Sequence, residues 1–149
     1  MQLRDVMTET VVTAGAHTAV RRVAEIMRER NVGSVVLVDD SGTAIGIVTD
    51  RDLTVSVLAD GHPGEQAAEG HASSPLVTGG PAMSLEEATA LMARHGIRRL
   101  PVVDDGRLTG IVTLDDIAAR THDAERAQRL TAEITRAALP DFYFHDRGG

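Results

Sequence analysis

The chain has 149 residues, 42% hydrophobic and 25% charged, enough for one ordinary domain or two small units sharing a core. Its 22 acidic and 15 basic residues give a formal net charge of -7, and every basic residue is Arg, with no Lys, Cys or Trp in the chain. Those absences exclude a Schiff-base or P-loop lysine, a thiol nucleophile, a disulfide framework and a thiolate zinc site. The negative balance argues against a generic nucleic-acid binder, which must neutralise phosphates. Phe142, Tyr143 and Phe144 are clustered near the C-terminus, so the rest of the chain has no aromatic platform for stacking bases. No apolar run reaches bilayer length, and the opening MQLRDVMTET lacks a signal-peptide core. The expectation is a cytoplasmic protein with no membrane partner.

In chain order, Thr10–Thr13 reads as a short extended piece. Val20, Val23, Ala24, Ile26 and Met27 then give helical spacing. Val35–Val38 is an apolar run suited to a buried strand. An Asp-Asp-Ser-Gly turn leads to a second strand, Ala44–Val48, and a helix starts at Thr49. Residues 61–74, rich in Gly, Pro, Ala and Ser, read as a linker. The pattern then recurs. Pro75–Thr78 is extended. Leu85, Ala88, Leu91 and Met92 form a helical stripe, with Ser84 and Glu87 spaced as a capping box and Gly96 suited to the helix end. Leu100–Val103 and Leu108–Val112 flank an Asp-Asp-Gly turn, and a helix starts at Thr113. That helix is expected to continue past Ile117 to about Leu139, with Ala127, Leu130, Thr131, Ile134 and Ala138 on one stripe.

The chain is thus written twice. Val38-Asp39-Asp40 aligns with Val103-Asp104-Asp105, Gly46-Ile47-Val48-Thr49 with Gly110-Ile111-Val112-Thr113, and Asp52 with Asp116. Such a repeat means two copies of one supersecondary unit burying apolar faces. The expected fold class is α+β, two β-α-β-β-α repeats plus a C-terminal helix and tail. The expected divisions are 1–60 for the first repeat, 61–74 for the linker, 75–121 for the second repeat, and 122–149 for the C-terminal helix and aromatic tail.

Thr49-Asp50-Arg51-Asp52 and Thr113-Leu114-Asp115-Asp116 each permit two compatible readings. Thr-x-x-Asp is a capping box. It also sets a carboxylate, which accepts hydrogen bonds from a vicinal diol, beside a hydroxyl at a helix start that suits an anion. Arg98-Arg99 stands where the first copy has Gly33-Ser34. The pair is either a solvated strand entry or a phosphate fork. The six histidines, His17, His62, His71, His95, His122 and His145, show no metal-binding spacing and read as isolated surface residues, with His95 near enough to Arg98 to join an anion contact.

The duplicated Gly-hydrophobic-hydrophobic-Thr-x-x-Asp, each copy preceded by an apolar strand and an Asp-Asp turn, resembles a pair of cystathionine-β-synthase (CBS) domains over roughly residues 5–120. Gly-Ile-Arg-Arg-Leu-Pro-Val-Val-Asp-Asp-Gly is a typical string of that family. The resemblance implies a pseudo-two-fold module with two clefts for adenosine-containing ligands: AMP, ADP or ATP, or S-adenosylmethionine or NAD-type dinucleotides. It implies no required cofactor, with Mg²⁺ accompanying ATP. By the same resemblance, Asp52 and Asp116 hold ribose with Thr49 and Thr113 assisting. Arg98 and Arg99 hold phosphate at the head of the Leu-Pro-Val strand that contains Pro101. Thr13 and Thr78 lie in the segments that line the base pocket. The expected protein is a regulatory sensor and not an enzyme, pairing as a homodimer and acting on an unidentified regulated protein. The alternative is a structural or dimerisation module without ligand.

Overall fold

Local chemistry sets most of the element ends in a computed structural model, which describes residues 1–73 and 75–138. The elements are α1 (Leu3–Val6), β1 (Thr13–Gly15), α2 (Val20–Arg30), β2 (Ser34–Val38), β3 (Ala44–Thr49), α3 (Asp50–Asp52), α4 (Leu85–His95), β4 (Arg99–Asp104), β5 (Arg107–Thr113), α5 (Leu114–Arg120) and α6 (Ala124–Ala138). A π-helical turn, Leu53–Leu58, continues α3, and a 3-10 turn covers Ala68–His71. The described chain forms two compact units. The first is Thr10–Val77 with Asp104–Thr109. The second joins Met1–Glu9 to Thr78–Val103 and the chain from Gly110 onward.

In the first unit β1 pairs in parallel with β2, Thr13 facing Val36, and β2 pairs antiparallel with β3, Ser34 facing Thr49. Asp39 builds the turn between β2 and β3, its Oδ1 accepting the amides of Ser41 and Thr43, both at 2.9 Å. The core lies between this sheet and α2, around Val23, Val35, Leu37 and Val48, all fully buried. No side chain caps α2 at Ala19. Its first amides instead donate to linker carbonyls, Val20 to Gln66 at 2.8 Å and Arg21 to Gly64 at 2.9 Å. Residues 61–73 are therefore folded onto the first unit, with Ala68 fully buried and Ser73 bridged to Ile47.

In the second unit β4 and β5 form a hairpin. Here α4 starts on a Ser84–Glu87 capping box and ends at Gly96 in the left-handed conformation, as the sequence pattern indicates. The short helix α1, absent from the sequence expectation, buries Leu3 and Val6 completely. Its first amides donate to Met83 and Pro81 carbonyls at 2.9 and 3.0 Å. Thr8 then pairs with Ile111. This close approach needs glycine: a Cβ on Gly110 would lie 2.6 Å from Met7 Sδ and 3.1 Å from the Thr8 carbonyl.

Three expectations need correction. The extended pieces lie later in the chain than Thr10–Thr13 and Pro75–Thr78. The first becomes β1 at Thr13–Gly15, and the second is reduced to a single parallel bridge between Gly79 and Val102. One continuous helix after Thr113 is instead two, because Thr121 leaves the helical region (φ -79, ψ 118) and Asp123 restarts it, accepting the Arg126 amide at 3.0 Å. The stripe on α6 is as expected, with Ala127, Leu130 and Ile134 buried. Lastly, His62 and His71 are not isolated. Ser56 Oγ lies 2.6 Å from His71 Nδ1, Gln66 bridges the two rings at 2.8 and 3.2 Å, and the ring centroids are 5.3 Å apart. The aromatic tail and His145 lie outside the described residues.

A bidentate pair, Arg126 Nε to Glu86 Oε1 and Nη2 to Oε2, both 2.7 Å, clamps α6 to α4. Hydrogen bonding from Arg126 holds the Glu86 carboxyl below its usual range. A depressed carboxylate contributes stability above its unfolded pKa and loses it as pH falls through the lower folded value. The pair is half-exposed, so its contribution is about 1 kcal/mol at most. Arg126→Met should therefore lower the urea midpoint slightly at neutral pH and less in acid, because the loss fades as Glu86 protonates. An equal loss at both pH values would show that packing, not charge, carries the clamp.

Candidate functional site

In the first unit, strand polarity gathers the candidate residues at one end of the sheet. The N-terminal ends of β1 and β2 and the C-terminal end of β3 lie together there, bringing Thr13, Ser34 and Thr49 into neighbouring positions. The chain then turns into α3, with the Asp50 amide donating to the Gly33 carbonyl at 3.0 Å. Thr49 and Asp52 form the capping box: the Asp52 amide donates to Thr49 Oγ1 at 3.2 Å and the Thr49 amide to Asp52 Oδ2 at 2.8 Å. Asp52 Oδ1 accepts no hydrogen bond among the described residues. The π-helical turn follows directly, with Ala59 donating to the Thr54 carbonyl at 3.0 Å. It leaves Val55 and Leu58 48% and 76% exposed. Such a wide turn beside a capped strand end is a common functional-site feature.

The second unit repeats the arrangement. The Leu114 amide donates to the Arg98 carbonyl at 3.1 Å, as Asp50 does to Gly33. Thr113 and Asp116 form the same box, at 3.2 and 2.8 Å. The Gly79 amide donates to the Pro101 carbonyl at 3.0 Å, which sets Thr78 beside the buried Pro101. Thr78, Pro101, Arg98, Arg99, Thr113 and Asp116 therefore share one end of this sheet. Neither Arg98 nor Arg99 enters an ion pair among the described residues, nor does Arg94.

Capping is thus realised at both Thr-x-x-Asp motifs, but the two carboxylates differ. Asp116 takes a further hydrogen bond from Thr113 Oγ1 at 2.9 Å and one from Thr8 Oγ1 at 3.3 Å, and its Oδ1 lies 3.7 Å from Arg120 Nε. Arg120 also donates to the Val6 and Met7 carbonyls at 3.1 and 2.7 Å and to Thr8 Oγ1 at 3.3 Å. Sequence reasoning missed Thr8 and Arg120. The Asp116–Arg120 spacing of four on a helix was the available signal.

No three His, Asp or Glu side chains among the described residues gather in a way that would hold a metal ion. Among the same residues, no helix is long and apolar enough to cross a membrane.

Comparison with known proteins bears on the duplicated motif. The family model described as CBS domain matches residues 3–58 and 70–123. The CBS domain-containing protein YhcV of Bacillus subtilis is 40% identical over 133 residues, covering 89% of this chain and 94% of its own. The crystal structure of Hypoxic Response Protein I, described with two coordinated zinc ions, superposes with a TM-score of 0.73 at 33% identity, over 79% of this chain and 97% of that one. A CBS domain protein of Pyrobaculum aerophilum complexed with AMP shares the fold, with a TM-score of 0.78 at 21% identity over 87% of this chain and 99% of that one. Two capped strand–turn–strand–helix repeats, each matched by the same model, make this chain a tandem member of the CBS domain family.

Proposed function

We propose that the chain is a non-catalytic regulatory protein that senses an adenosine-containing nucleotide. The observation that carries this reading is the Arg98–Arg99 pair. In a chain of net charge -7, two adjacent arginines have no acidic partner among the described residues, yet they stand at the same sheet end as a Thr–Asp diol acceptor. Anionic phosphate next to a ribose diol matches that pattern. The Pyrobaculum protein, of like fold, is complexed with AMP, which supports the ligand class. In this reading Asp52 and Asp116 accept ribose hydroxyls, Thr49 and Thr113 assist, and Thr13, Thr78 and Pro101 flank the base. Mg²⁺ enters only with ATP. Binding acts by differential affinity for two states of the protein, a homodimer that reports to a regulated partner.

Titration calorimetry with AMP, ADP, ATP, S-adenosylmethionine and NADH, with and without Mg²⁺, tests it. Where AMP enters the Asp116 site, Arg98→Met/Arg99→Met should lower its affinity there about tenfold or more, one or two charge-assisted contacts, while adenosine binding is unchanged. Silence across the panel in folded, ligand-free protein overturns the reading. Silence together with a stable dimer by light scattering would favour a structural module acting through protein–protein contacts. The exposed Val55 and Leu58 give that second reading its one support.

A further inference from the structure

The two repeats carry the same Thr-x-x-Asp motif, yet their carboxylates are not equally available. A carboxylate offers roughly four lone-pair sites, and a vicinal diol needs two of them. In the first unit Asp52 gives one, to the Thr49 amide. In the second unit Asp116 gives Oδ2 to the Thr113 amide and hydroxyl and one site of Oδ1 to the Thr8 hydroxyl, with Arg120 Nε an ion-pair partner 3.7 Å from Oδ1. Three of its roughly four acceptor sites are taken, which leaves fewer than a diol needs, and its side chain is only 14% exposed. The donors come from two directions. Arg120 reaches back one helical turn along α5. Thr8 belongs to the segment that pairs with Ile111 and packs against Gly110. Arg120 also holds two backbone carbonyls of that segment. The position equivalent to Arg120 in the first repeat is Ser56, which bonds to His71 and not to Asp52.

We infer that Arg120 and Thr8 form a latch that fastens residues 3–8 to Asp116 and withholds this carboxylate from a diol. The first unit is then the open site. The second becomes competent only when the N-terminal segment lets go. This rests on the proposed role of the two Asp carboxylates. It means that the repeat bearing Arg98 and Arg99 has its phosphate fork ready but its diol acceptor closed. Ligand at the second site and docking of residues 3–8 compete for one carboxylate, so each weakens the other by the same factor.

Two measurements on the full chain decide this. Amide hydrogen exchange of residues 3–8 should rise about tenfold or more in Thr8→Val/Arg120→Met, with Arg120→Lys intermediate, because local opening follows the contacts that hold a segment. Exchange unchanged in both variants would overturn the latch, whatever the protein binds. Titration with AMP should give one equivalent for the wild type, a second in Thr8→Val/Arg120→Met, and loss of the first in Asp52→Asn. Two equal equivalents in the wild type, or a retained equivalent in Asp52→Asn, would overturn the closed-site assignment. Absence of AMP binding in every protein would overturn the nucleotide reading itself, and with it the diol half of the inference, while the exchange result still judges the latch.

Discussion

Leu37→Ala is expected to destabilise the first unit by about 3–5 kcal/mol, the upper part of the range for buried leucine truncations. Leu37 is fully buried in the central strand β2. Its neighbours across the sheet are Ala14 on one side and Gly46 on the other. Neither has side-chain atoms that can lean into the void. A site that relaxes poorly keeps its cavity, and retained cavity volume sets the cost. The urea midpoint, read by circular dichroism, measures it. Leu58→Ala, at 76% exposure, serves as the control and should move stability by less than about 0.5 kcal/mol. A Leu37→Ala loss under about 1 kcal/mol would mean that the sheet repacks around the gap.

The second large effect is expected at Leu3. Its side chain is fully buried although its helix is only four residues long. A Cβ placed on Gly79 would be 2.7 Å from Leu3 Cδ1, so the side chain rests directly on that backbone. Truncation to Ala removes about 2–5 kcal/mol of burial and packing. Residues 1–9 are held by one short helix and two isolated bridges, so they can open locally where a central strand cannot. The loss is then limited to the docking free energy of residues 1–9. Leu3→Ala should therefore leave most of the thermal transition in place while residues 1–9 become open to protease and amide exchange. A global drop in Tm with those residues still protected would show instead that the segment is integral to the unit's core.

The features legible in the sequence were those set by neighbours within one turn. Ser84 with Glu87, Thr49 with Asp52, and Thr113 with Asp116 are spacings of three, and the structure closes each as a capping box. Gly96 ends α4 in the left-handed region by the same local logic. The duplication itself needed only alignment of the chain with itself. What was missed depends on distant partners. The α2 start looks uncapped because its acceptors are the carbonyls of Gln66 and Gly64. The polar linker looked like a connector because periodicity does not show that Ala68 is buried. Leu3 and Val6 are too few for a pattern, and their partners lie near residue 80. Thr8 and Asp116 are 108 residues apart. The break at Thr121 was locally signalled by Asp123, but the continuing apolar stripe on α6 hid it. The paired Thr and Asp candidates stand out because they recur in both repeats, whereas Arg98 and Arg99 have Gly33 and Ser34 as their counterparts. The unequal hydrogen bonding of Asp52 and Asp116 comes from Arg120 and Thr8, whose counterparts in the first repeat, Ser56 and Ser73, do not bond to Asp52.

The separation between Thr8 and Asp116 also divides the protein in time. Most of the first unit is one continuous stretch, Thr10–Val77, whose sheet, helix and covering linker leave the ribosome together. The second unit includes Leu3 and Val6, made early, and Arg120, made about a hundred residues later. At synthesis rates of roughly 5–20 residues per second, that interval is on the order of 5–20 s. Through it, an apolar N-terminal segment waits without its partners, a high-contact-order closure that must come after the first unit has condensed. The two repeats, nearly alike as text, are thus made to fold on different clocks.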